Sequence, residues 1–236
     1  MGFVPHRTCL ICVVPARRPH RVQPQCGGRP APGARGVSLF LFLFARGVSL
    51  SLVPRAAPDL AADREALLAF RDAVGPHLPW DASAASPCGW LGVLCDRTGA
   101  RVVQLRLPGA SLAGAVPPGT LGNLTALRTL SLRLNALSGG IPADIGACAE
   151  LRYLYLHGNR LEGEIPEGFF GLRLLQRLDL SDNLISGGVS PEFNKLRRLA
   201  ALYLQNNRLN GTLPADLDLP NLRVLNLSNN GLSAII

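Results

Sequence analysis

Read from its residues, this chain is an α/β repeat protein, a right-handed solenoid of about six coils wound on a leucine core. Three observations predict it. The pattern L-x-x-L-x-L-x-x-N-x-L recurs from Val102, Leu127, Leu151, Leu175, Leu199 and Leu222, in steps of 25, 24, 24, 24 and 23 residues. Asparagine returns at 135, 159, 183, 207 and 230, with Ala110 in its place in the first coil. Hydrophobic residues reach 47% while aromatics reach only 6%, so aliphatic side chains must fill the interior.

The chain opens on a basic leader, residues 1–58. It holds eight arginines and no carboxylate, whereas residues 59–236 balance sixteen basic against sixteen acidic side chains. The net charge of +8 therefore belongs to the leader, and the neutral remainder argues against nucleic acid as a partner. Residues 1–36 are rich in Arg, Pro and Gly without periodicity and are expected to be disordered. A signal-like apolar run covers 37–53, broken at Arg46, with small residues at Ala56 and Ala57. Positive, apolar and small segments thus follow the order of a secretion signal, behind an unusually long 36-residue preamble. Met1 is the only methionine, so an altered or extended signal from an imperfect gene assembly is the expected explanation. An Arg-rich organelle transit leader is a competing reading, and Cys9-x-x-Cys12 lacks the second ligand pair that metal or redox chemistry needs. No stretch reaches the roughly 18 uninterrupted apolar residues of a membrane span.

Residues 59–98 predict an N-terminal cap over the apolar end that stacking leaves exposed. Asp63 to Phe70 spaces its apolar residues as a helix does, with Asp63 placed as the N-cap. After Trp80, a short loop runs from Cys88 to Cys95. A disulfide there would contribute roughly 2–3 kcal/mol on the chain-entropy model and implies an oxidising compartment. A metal site would need two further ligands that are not nearby, so none is predicted.

Residues 99–236 are the coils, the last one stopping before its expected proline. The L-x-L alternation predicts short strands with leucines inward and the intervening residues outward. The asparagine sits where the chain leaves the strand, and its amide can satisfy backbone groups that would otherwise be buried unpaired. Gly163 and Pro166 typify the residues that punctuate the return path. On that path Ile145, Cys148, Leu172, Phe193, Leu196 and Leu217 are expected to point inward, Cys148 as a buried apolar thiol. A single coil cannot bury its own apolar face, so neighbours must stack.

The helical segment from Asp63 followed by C-x-W-x-G-V-x-C resembles the N-terminal cap of plant leucine-rich-repeat receptor kinases, and the N-x-L-x-G-x-I-P run from Asn159 to Pro166 resembles their plant-specific repeat. Leu105-Arg-Leu-Pro-Gly-Ala, the segment from Leu127 to Leu137, and Asp218-Leu-Pro-Asn-Leu are similar to the short-ectodomain group of probable inactive receptor kinases. The resemblance covers residues 59–236. It implies a leucine-rich-repeat solenoid with a helical, disulfide-linked cap, outside a membrane helix and a degenerate kinase domain. These residues carry neither of the latter two.

Outward strand positions form the expected concave interaction face, and all three tyrosines fall on it. Tyr and Arg combine contact area with directed hydrogen bonds and favour interfaces. Arg133, Tyr153, Tyr155, His157, Arg177 and Tyr203 are the candidate partner-binding strip, against the bland alternative of a merely solvated face. Sequons at Asn123, Asn210 and Asn226 are candidate glycosylation sites, the first two on predicted turns. Only His157 of the four histidines lies on the ordered face, and no nucleophile or paired carboxylate is set beside it, so neither catalysis nor a cofactor is predicted. The expected role is an extracellular receptor or co-receptor ectodomain fragment that recognises a peptide or another ectodomain. Two readings compete with it: a soluble apoplastic repeat protein, such as an inhibitor of a secreted cell-wall-degrading enzyme, and a truncated product without function.

Overall fold

A computed structural model describes residues 11–13 and 60–233, so the signal-like run and most of the leader lie outside the described residues. Strand β1 (Ile11–Val13) precedes helix α1 (Leu60–Val74) and strand β2 (Val93–Cys95). Each coil then supplies two strands. They are β3 (Val102–Arg106) and β4 (Ala113–Ala115), β5 (Thr129–Ser131) and β6 (Ala136–Gly139), β7 (Tyr153–Tyr155) and β8 (Arg160–Gly163). The second half continues with β9 (Arg177–Asp179) and β10 (Leu184–Gly187), β11 (Ala201–Tyr203) and β12 (Arg208–Thr212), β13 (Val224–Asn226) and β14 (Gly231–Ser233).

The first strands of the coils pair in parallel in chain order, with β2 antiparallel beside β3 at one edge and β1 antiparallel beside β13 at the other. Register places Leu105, Leu130, Leu154, Leu178 and Leu202 opposite one another in a single column, each essentially buried. The alternation read from L-x-L is thus realised as one shared core.

Helix α1 follows from a run of good helix formers, Ala, Leu, Arg and Glu. It buries Ala66, Leu67, Phe70 and Val74, one face at helical spacing. Its first residue is Leu60, so Asp63 lies inside the first turn and is not the N-cap that the sequence suggested. The carboxylate instead reaches the first coil. Asp63 is fully buried, accepts from Arg101 Nε and Nη2 at 3.0 Å each, and accepts from the Val102 amide at 2.8 Å. Arg101 Nη2 also donates to Thr125 Oγ1 at 3.0 Å, so one bidentate pair joins the cap to both the start and the end of the first coil. Cys88 and Cys95 are bonded, with Cα atoms 5.4 Å apart. Trp80 and Trp90 stack at 5.2 Å, and Trp80 Nε1 donates to the Leu91 carbonyl.

The asparagine ladder makes the same contacts in coil after coil. Asn159 Oδ1 accepts from the Leu137 amide of the preceding coil at 3.1 Å, while its Nδ2 donates to Leu132 O and Leu156 O. Asn135, Asn183, Asn207 and Asn230 repeat this geometry against Leu112, Leu161, Ile185 and Leu209. Each asparagine therefore ties two coils together as well as closing its own turn.

The return path is built from 3-10 turns, at Leu121–Asn123, Ala143–Ala147, Glu167–Gly171 and Pro191–Lys195. Ile145, Cys148, Leu172, Phe193 and Leu196 are buried as expected, and Leu217 is half-buried. Glycine at 146 lets two turns touch: a Cβ there would lie 2.0 Å from the Gly168 carbonyl oxygen.

A second, six-stranded parallel sheet of β4, β6, β8, β10, β12 and β14 was not foreseen. Its strands offer one inward residue each, such as Leu161 between exposed Arg160 and Glu162, too little alternation to register as a strand. Asn210 consequently lies in β12 and not on a turn.

One backbone feature recurs at the lip of the first sheet. The residue before each ladder position has positive φ: Gly109 59°, Leu134 58°, Gly158 66°, Asp182 54°, Asn206 56° and Asn229 55°. Glycine, asparagine and aspartate tolerate this region. A leucine there costs roughly 1–2 kcal/mol.

Candidate partner-binding face

The first sheet's outward residues fall into rows set by register. One row runs Gln104, Thr129, Tyr153, Arg177, Ala201 and Val224; the next runs Arg106, Ser131, Tyr155, Asp179, Tyr203 and Asn226. Because every strand is pinned to its neighbours and backed by the leucine column, these side chains project from a rigid base.

The structure gathers two of the other five candidates, Tyr155 and Tyr203, around the Arg177 guanidinium. Arg177 lies 5.8 Å from the Tyr155 ring centroid and 5.0 Å from that of Tyr203, so it is held between two aromatic faces. Its Nη2 also donates to the Tyr203 hydroxyl at 3.3 Å. Tyr153, opposite Arg177 in register and 37% exposed, donates its hydroxyl to Gln176 Oε1 at 3.2 Å. The result is an aromatic and cationic strip whose side chains are already held by one another.

His157 joins the group through a residue outside the predicted six. Its Nδ1 lies 3.2 Å from Asp179 Oδ2, out of line for a hydrogen bond, while Asp179 Oδ1 accepts from the Ser181 amide and hydroxyl. Asp179 stands in the same row as Tyr155 and Tyr203, so the strip's single carboxylate sits among its aromatics. Arg133 is exposed beside His157 and makes no ion pair or side-chain hydrogen bond among the described residues.

Two contributors escaped the sequence reading. Gln176 was missed because it lies outside the three-residue strand, and only the fold brings it to Tyr153. Leu94 was missed because the cap segment was not expected to add a strand; β2 pairs it with Gln104, which extends the outward row to an apolar side chain 51% exposed. Among the sequons, Asn123 and Asn210 are exposed, whereas Asn226 is half-buried with Oδ1 accepting from the Ser228 amide and hydroxyl.

The family described as leucine rich repeat N-terminal domain matches residues 60–96, and leucine rich repeat families match 102–161, 164–209 and 221–236. The crystal structure of the leucine-rich-repeat ectodomain of the receptor kinase SOBIR1 from Arabidopsis thaliana aligns with a TM-score of 0.64 and 34% identity, over 74% of this chain and 96% of that one. This chain belongs to the leucine-rich-repeat ectodomains of plant receptor kinases. The ectodomain is also similar to HAESA of Arabidopsis thaliana, in its complex with the peptide hormone IDA and the co-receptor SERK1, with a TM-score of 0.67 and 34% identity over 74% of this chain and 30% of that one. In sequence it is 52% identical over 119 residues to the probable inactive receptor kinase RLK902 of Arabidopsis thaliana, half of this chain and 18% of the relative. The chain thus spans less than a fifth of the length of that relative. Among the described residues no helix is long and apolar enough to cross a membrane.

Proposed function

We propose that this ectodomain is an extracellular protein-interaction module of plant receptor signalling, which recognises a peptide or another ectodomain through Arg133, Tyr153, Tyr155, His157, Arg177 and Tyr203. The observation that carries the reading is Arg177 held between Tyr155 and Tyr203 on the rigid first sheet. Aromatic and arginine side chains of this kind supply the anchors of protein interfaces. The solved relative HAESA engages a peptide hormone and a co-receptor with the same fold, which supports a partner of that class. The Cys88–Cys95 disulfide supports an oxidising compartment, and with it the secretory pathway, the plasma-membrane exterior or the apoplast. Asn123 and Asn210 are exposed enough to accept glycans, and a glycan at Asn226 would crowd the strip beside Tyr203. The role is binding; the relatives in the inactive receptor kinase group give no support for catalysis by this chain.

The test uses the secreted chain against purified plant leucine-rich-repeat ectodomains and against displayed short randomised peptides. Alanine at Tyr153 or Arg177 is expected to weaken capture about tenfold or more, as interface anchors do, with an unchanged melting temperature. Equal capture by wild type and both variants overturns the proposal.

A further inference from the structure

The most exposed large hydrophobic side chain among the described residues is Leu134, at 61%. It is also the one member of its lip row that is neither glycine, asparagine nor aspartate, although its φ of 58° is as left-handed as theirs. Two local rules are thus broken together. The backbone conformation disfavours a leucine, and exposure denies it the burial that would compensate. The site is nevertheless well ordered by its neighbours, since the Leu134 amide donates to His157 O at 2.9 Å and the Asn135 amide donates to Gly158 O.

Its surroundings are cleared for it. Gly109 and Gly158 flank Leu134 on the two adjoining coils, so it stands between positions without side chains. A Cβ at Gly158 would come within 2.8 Å of Leu134 Cδ2. Further along the row the pattern becomes polar: Asn206 Nδ2 donates to Asp182 Oδ1 and Asn229 Nδ2 donates to Asn206 Oδ1, each at 2.6 Å. The polar ladder stops before Leu134. The exposed Leu94 and Tyr153 lie on the outward rows of the same first-sheet half, so exposed apolar area gathers on the cap and first three coils.

Charge says what would cover it. The first-sheet face and its lip carry Arg106, Arg133 and Arg177 against two carboxylates, Asp179, which already serves Ser181 and approaches His157, and Asp182, which accepts from Asn206. Arg106, in β3, pairs in register with Ser131, the last residue of β5, and Arg133 follows two residues later, so the two arginines belong to adjoining coils. Neither has an ion-pair partner or a side-chain hydrogen bond among the described residues. Glu162, by contrast, lies in the second sheet with Glu164 just beyond it.

We propose that Leu134 anchors a partner polypeptide segment that carries an aliphatic or aromatic residue flanked by carboxylates, with Arg133 and Arg106 pairing those carboxylates. The inference rests on the reading of the first sheet as the partner-binding face. It adds the lip residue and the chemistry of the partner. Strain kept at an exposed position is the mark of a residue retained for contact and not for stability.

The experiment selects displayed short randomised peptides on the intact secreted chain and then measures the enriched peptides against single variants. Enriched peptides should pair Asp or Glu with Leu, Ile or Phe, and should bind Leu134→Asn about tenfold more weakly or worse, the loss expected of an interface anchor. The same variant should melt at an equal or higher temperature, because asparagine suits the left-handed conformation. Arg133→Gln and Arg106→Gln should weaken binding and flatten its dependence on salt. Undiminished binding by Leu134→Asn overturns the inference, as does a lower melting temperature, an enriched set without acidic residues, or no enrichment. Peptides lost on Tyr153→Ala but kept on Leu134→Asn sink this inference and leave the partner-binding face standing. Peptides indifferent to both sink both.

Discussion

Replacing Asn159 by alanine removes one rung of the ladder, and the structure says which groups are left without partners. The Leu137 amide loses its Asn159 acceptor. Leu132 O and Leu156 O each keep a second donor, from Asn135 and Asn183 respectively, so they are weakened but not orphaned. One buried donor left without that acceptor costs about 1–3 kcal/mol and two reduced carbonyls add about 1 kcal/mol together, a loss of about 2–4 kcal/mol. For a domain of this size that lowers the melting temperature by roughly 4–16 °C. Asn159→Asp is the sharper variant. It retains an acceptor for Leu137 but turns a buried anionic oxygen toward Leu132 O and Leu156 O, so it should melt below the alanine variant. Thermal and urea melts of the secreted chain, followed by circular dichroism, measure both. A melting temperature unchanged in Asn159→Ala, or an aspartate variant more stable than the alanine one, would refute the role assigned to the ladder.

The Asp63–Arg101 pair should respond asymmetrically. Arg101→Ala strands a fully buried carboxylate and should cost about 3–5 kcal/mol, whereas Asp63→Ala removes the acceptor of the Val102 amide, about 1–3 kcal/mol, and leaves a guanidinium whose side chain is 20% exposed and can turn to water. Urea melts that rank the two variants in the opposite order would show that the pair is not limited by the buried acid. Cys148 gives a pH prediction. Burial, with Asp144 nearby, raises its thiol from 9.0 to about 12, so above pH 9.0 the unfolded chain loses a proton that the folded chain keeps. Stability is therefore untouched below that pH and falls as pH climbs toward the folded value, by at most about 1.4 kcal/mol per unit from this group. Melts of Cys148→Ala beside wild type should show a shallower alkaline decline in the variant; parallel curves would remove the thiol from the account. At neutral pH the folded thiol should also resist maleimide until the chain is unfolded.

Much of the ectodomain was legible because its physics is periodic. A leucine every second residue in a short strand, repeated at a 24-residue step, leaves stacking as the sole way to bury Leu130, Leu154, Leu178 and Leu202. The recurring asparagine announces a buried turn that needs both a donor and an acceptor, and the two closely spaced cysteines announce their bond. What stayed hidden has no period. Asp63 looks like a helix cap until Arg101, far along the chain, is folded against it. The second sheet is assembled from segments with one inward side chain each, which acquire strand geometry only from their neighbours.

The sequence by itself determined the coil, its core and the face on which the tyrosines lie, because those follow from which residues must leave water. Only the tertiary structure decided how that face is arranged: which tyrosines flank Arg177, that Asp179 answers His157, and that Leu134 stands exposed between two glycines. Those relations depend on register between strands some 24 residues apart and on backbone angles, and no local pattern encodes either.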